Sequence, residues 1–228
     1  MNTGNPHLVS SRRNRSIAIR FAAVLCIVTA CATDSLRAQA SRTVPAQVAA
    51  ALAARPQTPA AGNPDGDVTI VEFLDYNCPF CKKTAPELQK LIVSDRRVRI
   101  LYKEWPIFGD VSEYAARSAL AAHWQGKFLA AHNALINAPD LDETSQVDSV
   151  LKRAGVDLGR LADDRSRRAA DIDDALARNA REAHALGLKG TPGFVIGRQL
   201  VPSALTLAQL IQLATNARAS QKDGSGDP

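Results

Sequence analysis

Apolar and polar positions along the chain predict short strands on either side of a long helical region. Residues 68–74 are apolar on both faces except at Glu72, which is typical of a buried strand. Residues 98–102 alternate and predict a second strand. Between them, residues 81–92 predict a helix with a kink at Pro86.

After the second strand, the apolar pattern predicts a long helical region, then two short strands and a final helix. Apolar residues recur at helical spacing from residue 111 to about residue 186. Residues 194–196 and 199–201 predict two short strands, and residues 205–217 predict a final helix. A β-α-β half and a β-β-α half thus flank a helical segment. This arrangement predicts an α/β protein with a thioredoxin fold and an inserted all-helical subdomain.

The first 40 residues are typical of an export leader. A start rich in arginine precedes an apolar stretch at residues 21–32, and Ala38-Gln39-Ala40 offers a small-x-small cleavage site. The apolar stretch is too short to span a bilayer well. A lipoprotein leader that ends before Cys31 is the alternative, because Val28-Thr29-Ala30-Cys31 is similar to a bacterial lipobox. The general secretory route is the predicted one.

These patterns divide the chain into six segments. Residues 1–40 are the predicted leader, and residues 41–61 are an N-terminal extension with a short helix at 47–54. Residues 62–110 and 187–218 are the two halves of the fold, and residues 111–186 are the helical insertion. Residues 219–228 are predicted to be a disordered tail.

Removal of the predicted leader would change both the net charge and the number of cysteines. Residues 1–40 contain five Arg and one Asp, so 23 basic and 22 acidic residues remain and the net charge falls from +5 to about +1. This balance argues against nucleic-acid binding. Cys26 and Cys31 belong to the leader, which leaves Cys78 and Cys81. One such pair in an oxidising compartment is a redox pair or a local staple, not a disulfide framework.

The sequence Cys78-Pro79-Phe80-Cys81 follows the first strand and precedes a helix, which is the layout of a thioredoxin-like redox site. This spacing puts both thiols on one face of the first turn, within disulfide range. Cys78 is the predicted nucleophile, because a helix N-terminus lowers a thiol pKa. Cys81 is predicted to be more buried and to act as the resolving thiol.

A structural staple or half of a zinc site is the alternative for this pair. A structural zinc site needs four ligands, and beyond the pair the sequence offers scattered histidines. His123 and His132 are predicted to be surface or rim residues, and His184 lies far along the chain.

Other residues near the pair have predicted consequences. A buried carboxylate at Glu72 requires a raised pKa or a partner such as Lys103, unless the position is partly wetted by solvent. Pro79 suits the first helical turn. Phe80 cannot supply the positive charge of a histidine, so we expect a less acidic Cys78 than a histidine at this position would give.

Two motifs carry a resemblance to a known family. Residues 71–81, Val-Glu-Phe-Leu-Asp-Tyr-Asn-Cys-Pro-Phe-Cys, are followed by Pro86 and by Gly-Thr-Pro-Gly-Phe-Val-Ile-Gly at 190–197. Over about residues 62–215 the chain resembles the DsbA-like exported thiol–disulfide oxidoreductases, and most closely the branch with the suppressor-of-copper-sensitivity proteins. The resemblance implies a cis Pro192 facing the cysteines and a substrate segment paired with the backbone of Thr191.

The resemblance also implies that Glu72 accepts the proton of Cys81. Cys78, Cys81 and Glu72 are therefore the predicted catalytic residues. Substrate binding is predicted at four positions: Thr191, Pro192, Pro79 and Phe80. No cofactor or metal is expected. Because Pro79-Phe80 replaces the Pro-His of strongly oxidising members, the direction of electron flow stays open.

The predicted function is disulfide exchange with unfolded or partly folded exported proteins in the periplasm, with dithiol oxidation as the favoured direction. A membrane redox partner is expected to recharge the pair. Disulfide isomerisation or reduction is one alternative, and a Cu(I)-handling thiol module is another, because soft thiolates suit that ion. Met1 is the one methionine in the chain, so no thioether would assist. Lipid anchoring through Cys31 is the alternative location.

Overall fold

A six-stranded mixed sheet forms the centre of the computed structural model, which describes Met1 and residues 42–54 and 58–224. The strands are β1 Arg42–Thr43, β2 Ala60–Gly62, β3 Val68–Leu74, β4 Val98–Glu104, β5 Gly193–Ile196 and β6 Gln199–Val201. Their order in the sheet is β1-β6-β5-β3-β4-β2. β3 and β4 are parallel, and every other neighbouring pair is antiparallel.

Eight helices lie in the same described residues. They are α1 Ala46–Ala53, α2 Pro79–Ser94, α3 Asp110–His123, α4 Phe128–Ile136, α5 Thr144–Arg153, α6 Leu158–Arg167, α7 Ala169–Ala185 and α8 Leu207–Gly224. The five helices α3 to α7 form the insertion between β4 and β5. The fold is thus a thioredoxin fold with an inserted helical subdomain, as the sequence predicts.

Both faces of the sheet are buried, which explains why β3 is apolar at nearly every position. Ile70 and Leu74 contribute to one apolar cluster together with α2, α8 and the insertion. Val71 and Phe73 face the other cluster, which includes residues of α1 and of the segment after α7. Alternation along the strand therefore places Glu72 on the first face, between Ile70 and Leu74.

Most predicted elements are confirmed, and three differences have clear physical reasons. β1 and β2 were not predicted, since strands of two and three residues are too short to show a periodicity. α8 continues to Gly224, so its predicted end at residue 217 is wrong and part of the expected disordered tail is helical. Arg218 holds this extension by pairing with Asp67 and Asp95.

The predicted leader, with Cys26 and Cys31, lies outside the described residues. Within the described residues, none of the helices is long and apolar enough to cross a membrane.

Candidate active site

Cys78 and Cys81 lie at the N-terminus of α2, directly after β3. Cys78 is the N-cap residue of this helix, Pro79 occupies the first turn, and the backbone N–H of Cys81 donates to the Cys78 sulfur at 3.4 Å. Both cysteines are free thiols and both are 0% exposed. Solvent exposure does not distinguish the two thiols, but burial has its largest effect on the pKa of Cys81, which agrees with the expectation that Cys81 is the more deeply buried of the two.

The two thiols differ instead in their proton affinity. The pKa of Cys78 is lowered to about 6, chiefly by a hydrogen bond from the Cys81 thiol and further by Thr191 and the backbone N–H groups of Cys81 and Phe80. The pKa of Cys81 is raised, because burial and its hydrogen bond to Cys78 both favour the neutral thiol, and nearby Glu72 adds to the effect. Cys78 is therefore the thiol that ionises more readily, and Cys81 stays a neutral thiol that donates a hydrogen bond to it.

The loop before β5 lies against this pair. The Thr191–Pro192 peptide bond is cis, and the Cys78 sulfur lies 3.1 Å from the Thr191 carbonyl oxygen. The Thr191 hydroxyl is buried without a hydrogen-bond partner among the described residues. The structure thus brings residues 78–81 and residues 191–192 together, although more than a hundred positions separate them in sequence.

Glu72 is buried on the sheet face that supports α2. Its exposure is 3%, which excludes the wetted edge position considered from the sequence. Burial raises its pKa to about 8, and the negative charge of Cys78 adds to this effect. At neutral pH the carboxyl is therefore mostly protonated.

Lys103 is not placed as the expected partner of Glu72. Its register position opposite Phe73 puts it on the other face of the sheet, and its ammonium lies 2.6 Å from the carboxylate of Glu182 in α7. The residue opposite Glu72 is Tyr102. Strand alternation explains the difference, because neighbouring residues of β4 point to opposite faces.

Large apolar side chains are exposed in the cysteine turn and in the loop whose backbone bonds to Asp75. Phe80, in the first turn of α2, is 59% exposed. Ile107 and Phe108, in the loop between β4 and α3, are 42% and 50% exposed. Large apolar side chains on a surface often mark a binding site when they lie close together.

Several residues near the pair were not singled out from the sequence. Tyr76, Glu104 and His132 form a buried hydrogen-bonded group, in which the Tyr76 hydroxyl lies 2.7 Å from Glu104 Oε1 and 3.2 Å from His132 Nδ1. His132 is 3% exposed, so the prediction that it is a surface or rim residue is wrong. It is buried because it stacks against Tyr102 and Phe128 in the core.

Asp75 and Asn77 were also missed, although they lie within the motif that carries the resemblance. Asn77 exchanges two side-chain hydrogen bonds with the backbone of Leu141 in the insertion. Asp75 binds the loop that carries Ile107 and Phe108. Polar residues between a strand and a C-x-x-C are the one signal that could have drawn attention to them.

Metal-ligand side chains do not cluster in the part of the chain that the structure describes. His, Cys, Asp and Glu form no group of three or more there that could hold a metal ion.

The fold and the cysteine pair define the class of thioredoxin-fold thiol–disulfide oxidoreductases. Residues 69–213 match the family described as "DSBA-like thioredoxin domain", and the chain belongs to that family.

Similar solved structures agree with this assignment. A thioredoxin-like oxidoreductase from Silicibacter pomeroyi DSS-3 is 40% identical, with a TM-score of 0.72 over 75% of this chain and 97% of that chain. The catalytic domain of Proteus mirabilis ScsC is 28% identical, with a TM-score of 0.69 over 76% and 96% of the two chains. The thiol-disulfide exchange protein alpha-DsbA2 from Wolbachia pipientis is 27% identical, with a TM-score of 0.69 over 73% and 89%.

Curated relatives are much longer proteins. A Na(+)/H(+) antiporter NhaA 3 from Salinispora tropica is 29% identical over 179 residues, which is 73% of this chain but 26% of that protein. The chain thus spans about a quarter of the length of the curated relatives that it matches first.

Proposed function

We propose that the protein is an exported dithiol oxidase that passes its Cys78–Cys81 disulfide to cysteine pairs of unfolded or partly folded proteins. The observation that carries this proposal is the stabilised Cys78 sulfur at the start of α2, which accepts a hydrogen bond from the backbone N–H of Cys81 at 3.4 Å and has a pKa lowered to about 6. A stabilised thiolate favours the dithiol form of the pair, so the disulfide form is a good electron acceptor.

The reaction has two thiol–disulfide exchanges. A client thiolate attacks the Cys78 sulfur of the disulfide, the Cys78–Cys81 bond breaks, and Cys81 leaves as a thiolate. A second client thiolate then attacks the client sulfur of the mixed disulfide, and Cys78 leaves as a thiolate. The client loses two electrons and gains a disulfide, and the protein becomes the dithiol. The lowered pKa of Cys78 assists the second step, because a more acidic thiol is a better leaving group.

In this scheme Glu72 donates a proton to Cys81 when the disulfide opens and accepts it when the disulfide forms again. Since the pKa of Glu72 is raised to about 8, its carboxyl is protonated at pH 7 and can supply a proton to the departing Cys81 thiolate. When an oxidising partner regenerates the disulfide, the ionised Glu72 takes the proton back. Both roles require a carboxyl whose pKa lies near the working pH.

Clients are held by two kinds of contact. The backbone of Thr191 pairs with an extended client segment, and Pro192 and Pro79 shape the surface beside the sulfur. Phe80, Ile107 and Phe108 offer exposed apolar contacts to side chains next to the client cysteine. Apolar side chains are accessible in unfolded proteins and buried in folded ones, so this surface favours unfolded clients.

Export to the periplasm and recharging by a membrane redox partner belong to the same proposal. The arginine-rich start, the apolar stretch and the Ala-Gln-Ala site of residues 1–40 support it. One of the similar structures is a periplasmic thioredoxin-like protein from Salmonella enterica serovar Typhimurium. Lipid attachment at Cys31 is the alternative form of the exported protein, and intact-mass measurement distinguishes the two.

The test is the reduction potential of the purified protein in glutathione buffers. A dithiol oxidase is expected near about −120 mV, and a reductase near about −270 mV. We expect a value closer to the oxidase, because the pKa of Cys78 is lowered, but less oxidising than that limit, because Phe80 adds no positive charge beside the thiolate. The Cys81→Ala variant should trap mixed disulfides with clients, whereas Cys78→Ala should trap none. A potential near the reductase limit would reverse the proposed direction.

A further inference from the structure

The side chain of Asp75 connects the cysteine turn to the loop between β4 and α3. It is 1% exposed, and its carboxylate accepts four hydrogen bonds. Oδ1 accepts from the Asn77 backbone N–H at 2.7 Å and from the Ser112 hydroxyl at 2.8 Å. Oδ2 accepts from the backbone N–H groups of Ile107 at 2.6 Å and Phe108 at 3.0 Å.

The backbone of Asp75 contacts the redox pair itself. The Cys78 backbone N–H donates to the Asp75 carbonyl oxygen at 3.2 Å. The Asp75 backbone N–H lies near the Cys81 sulfur and opposes the rise in the pKa of that thiol. A single residue thus contacts both cysteines through its main chain and the neighbouring loop through its side chain.

Asp75 binds the backbone, and not the side chains, of the loop between β4 and α3. Ile107 and Phe108 expose large parts of their side chains, yet both of their backbone N–H groups point inward to one buried carboxylate. Charge-assisted bonds of this kind are stronger than bonds between neutral groups. The backbone that carries the two apolar side chains is therefore held in place by Asp75.

We propose that Asp75 is a positioning residue that fixes the Ile107–Phe108 loop beside the cysteine turn, and that this placement gives the protein its preference for apolar polypeptide clients over small thiols. The inference rests on the proposed function, because it concerns how that site selects its thiol substrates. Asp75 acts through the loop and does not itself touch the client.

The Asp75→Asn variant tests this proposal with little change in volume. An amide has one acceptor oxygen, and its nitrogen is a donor, so it cannot serve both pairs of donors at once. The oxidised proteins are reacted with a reduced peptide that carries one cysteine between leucine and phenylalanine, and separately with reduced glutathione. The ratio of the two rate constants is expected to fall about tenfold, as for the loss of one apolar contact.

A matched control is Asp148→Asn in the insertion, where the carboxylate accepts from the Tyr114 hydroxyl at 2.9 Å. We expect its ratio to equal that of the wild type. An unchanged ratio in Asp75→Asn would overturn the positioning role.

Hydrogen exchange of the wild-type protein gives a second test that does not depend on the variant folding. The amides of Ile107 and Phe108 should exchange more slowly than unprotected amides of the same sequence, and exchange at the unprotected rate would refute the proposal. Failure of the proposed function would look different, since it would appear as a wild-type reduction potential near the reductase limit, whatever the ratio of the peptide and glutathione rate constants.

Discussion

The Tyr76 hydroxyl joins Glu104 Oε1, at 2.7 Å, to His132 Nδ1, at 3.2 Å, in a region without exposed surface. Burial raises the pKa of Glu104 well above its usual value, and burial lowers the pKa of His132 to about 3. Both groups are therefore neutral near pH 7. Neutral groups that share one hydroxyl cost far less to bury than charges would.

Replacing Tyr76 with Phe should leave both neighbours short of a hydrogen bond. We expect the free energy of unfolding to fall by about 1–3 kcal/mol, the cost of a buried polar group that loses its partner. Urea denaturation of the oxidised protein measures it. Tyr102→Phe is the matched control, since Tyr102 is a buried residue whose hydroxyl shows no hydrogen bond among the described residues. Equal losses in both variants would argue against the bridging role.

Much of this site could be predicted because its parts are local in sequence. The Cys78 and Cys81 spacing, the preceding apolar strand and the Pro79 in the first turn are all read within a dozen residues. Glu72 could be predicted too, since a carboxyl in an otherwise apolar strand is unusual. Pro192 was placed opposite the pair through family resemblance, because no local pattern links positions so far apart.

Contacts that depend on packing between distant segments could not be predicted. Of the two alternatives for Glu72, the raised pKa is confirmed, whereas Lys103 lies against Glu182 because of the pleat of β4. His132 lies on a helix whose position relative to Tyr102 is set by the fold of the whole insertion. Asp75 resembles an ordinary turn residue until the loop at residue 107 is brought to it.

Thr191 offers a test of what stabilises the Cys78 thiolate. Its side chain lowers the pKa of the Cys78 thiol, although its buried hydroxyl makes no hydrogen bond of ordinary geometry among the described residues. Thr191→Val should raise the pKa of Cys78 by up to about 1 unit and make the pair less oxidising. Thiolate absorbance of the reduced protein across pH measures the change. Thr215→Val, on the exposed part of α8, should leave the pKa unchanged. A Cys78 pKa that stays at its wild-type value in Thr191→Val would show that the hydroxyl is not involved.

Glu72→Gln should slow the steps in which Cys81 gains or loses its proton. General acid–base groups typically contribute about 10²-fold or more. We expect oxidation of the reduced variant by glutathione disulfide to slow most, because Cys81 must then lose its proton. The wild-type rate should rise as Glu72 ionises near pH 8, and the variant should lack this rise. Stopped-flow kinetics across pH would show it, and identical profiles would remove Glu72 from the mechanism.

The same substitution should change how stability depends on pH. Glu72 has a pKa of about 8 in the folded protein against 4.5 as its ordinary value, so the folded state binds the extra proton between these values. Its contribution to stability is present below pH 4.5 and is lost as the pH rises through 8. Relative to the wild type, Glu72→Gln should therefore gain up to about 1.4 kcal/mol per pH unit across this window. Denaturant unfolding at several pH values gives the difference, and a constant difference would contradict the raised pKa.

Arg218 explains why α8 extends beyond its predicted end, and its removal should shorten the helix. Its guanidinium lies 2.8 Å from Asp67 and 2.7 Å from Asp95, which tie the helix to the turns that begin β3 and β4. Arg218→Met keeps the aliphatic stem and should cost about 1 kcal/mol, because these pairs are partly exposed. The pKa of both carboxyls is lowered, Asp67 by its hydrogen bond to Arg218 and Asp95 by Arg218 against the opposing effect of burial.

The stabilisation by Arg218 is consequently complete above the ordinary pKa of an aspartate and is lost as the pH falls through the lowered values. The cost of Arg218→Met should shrink in acid, and amide exchange in the last turns of α8 should quicken at neutral pH. Arg167→Met is the control, since the Arg167–Asp163 pair is exposed and should contribute almost nothing. If the two variants lose equal stability at neutral pH, the extension of α8 must depend on contacts other than Arg218.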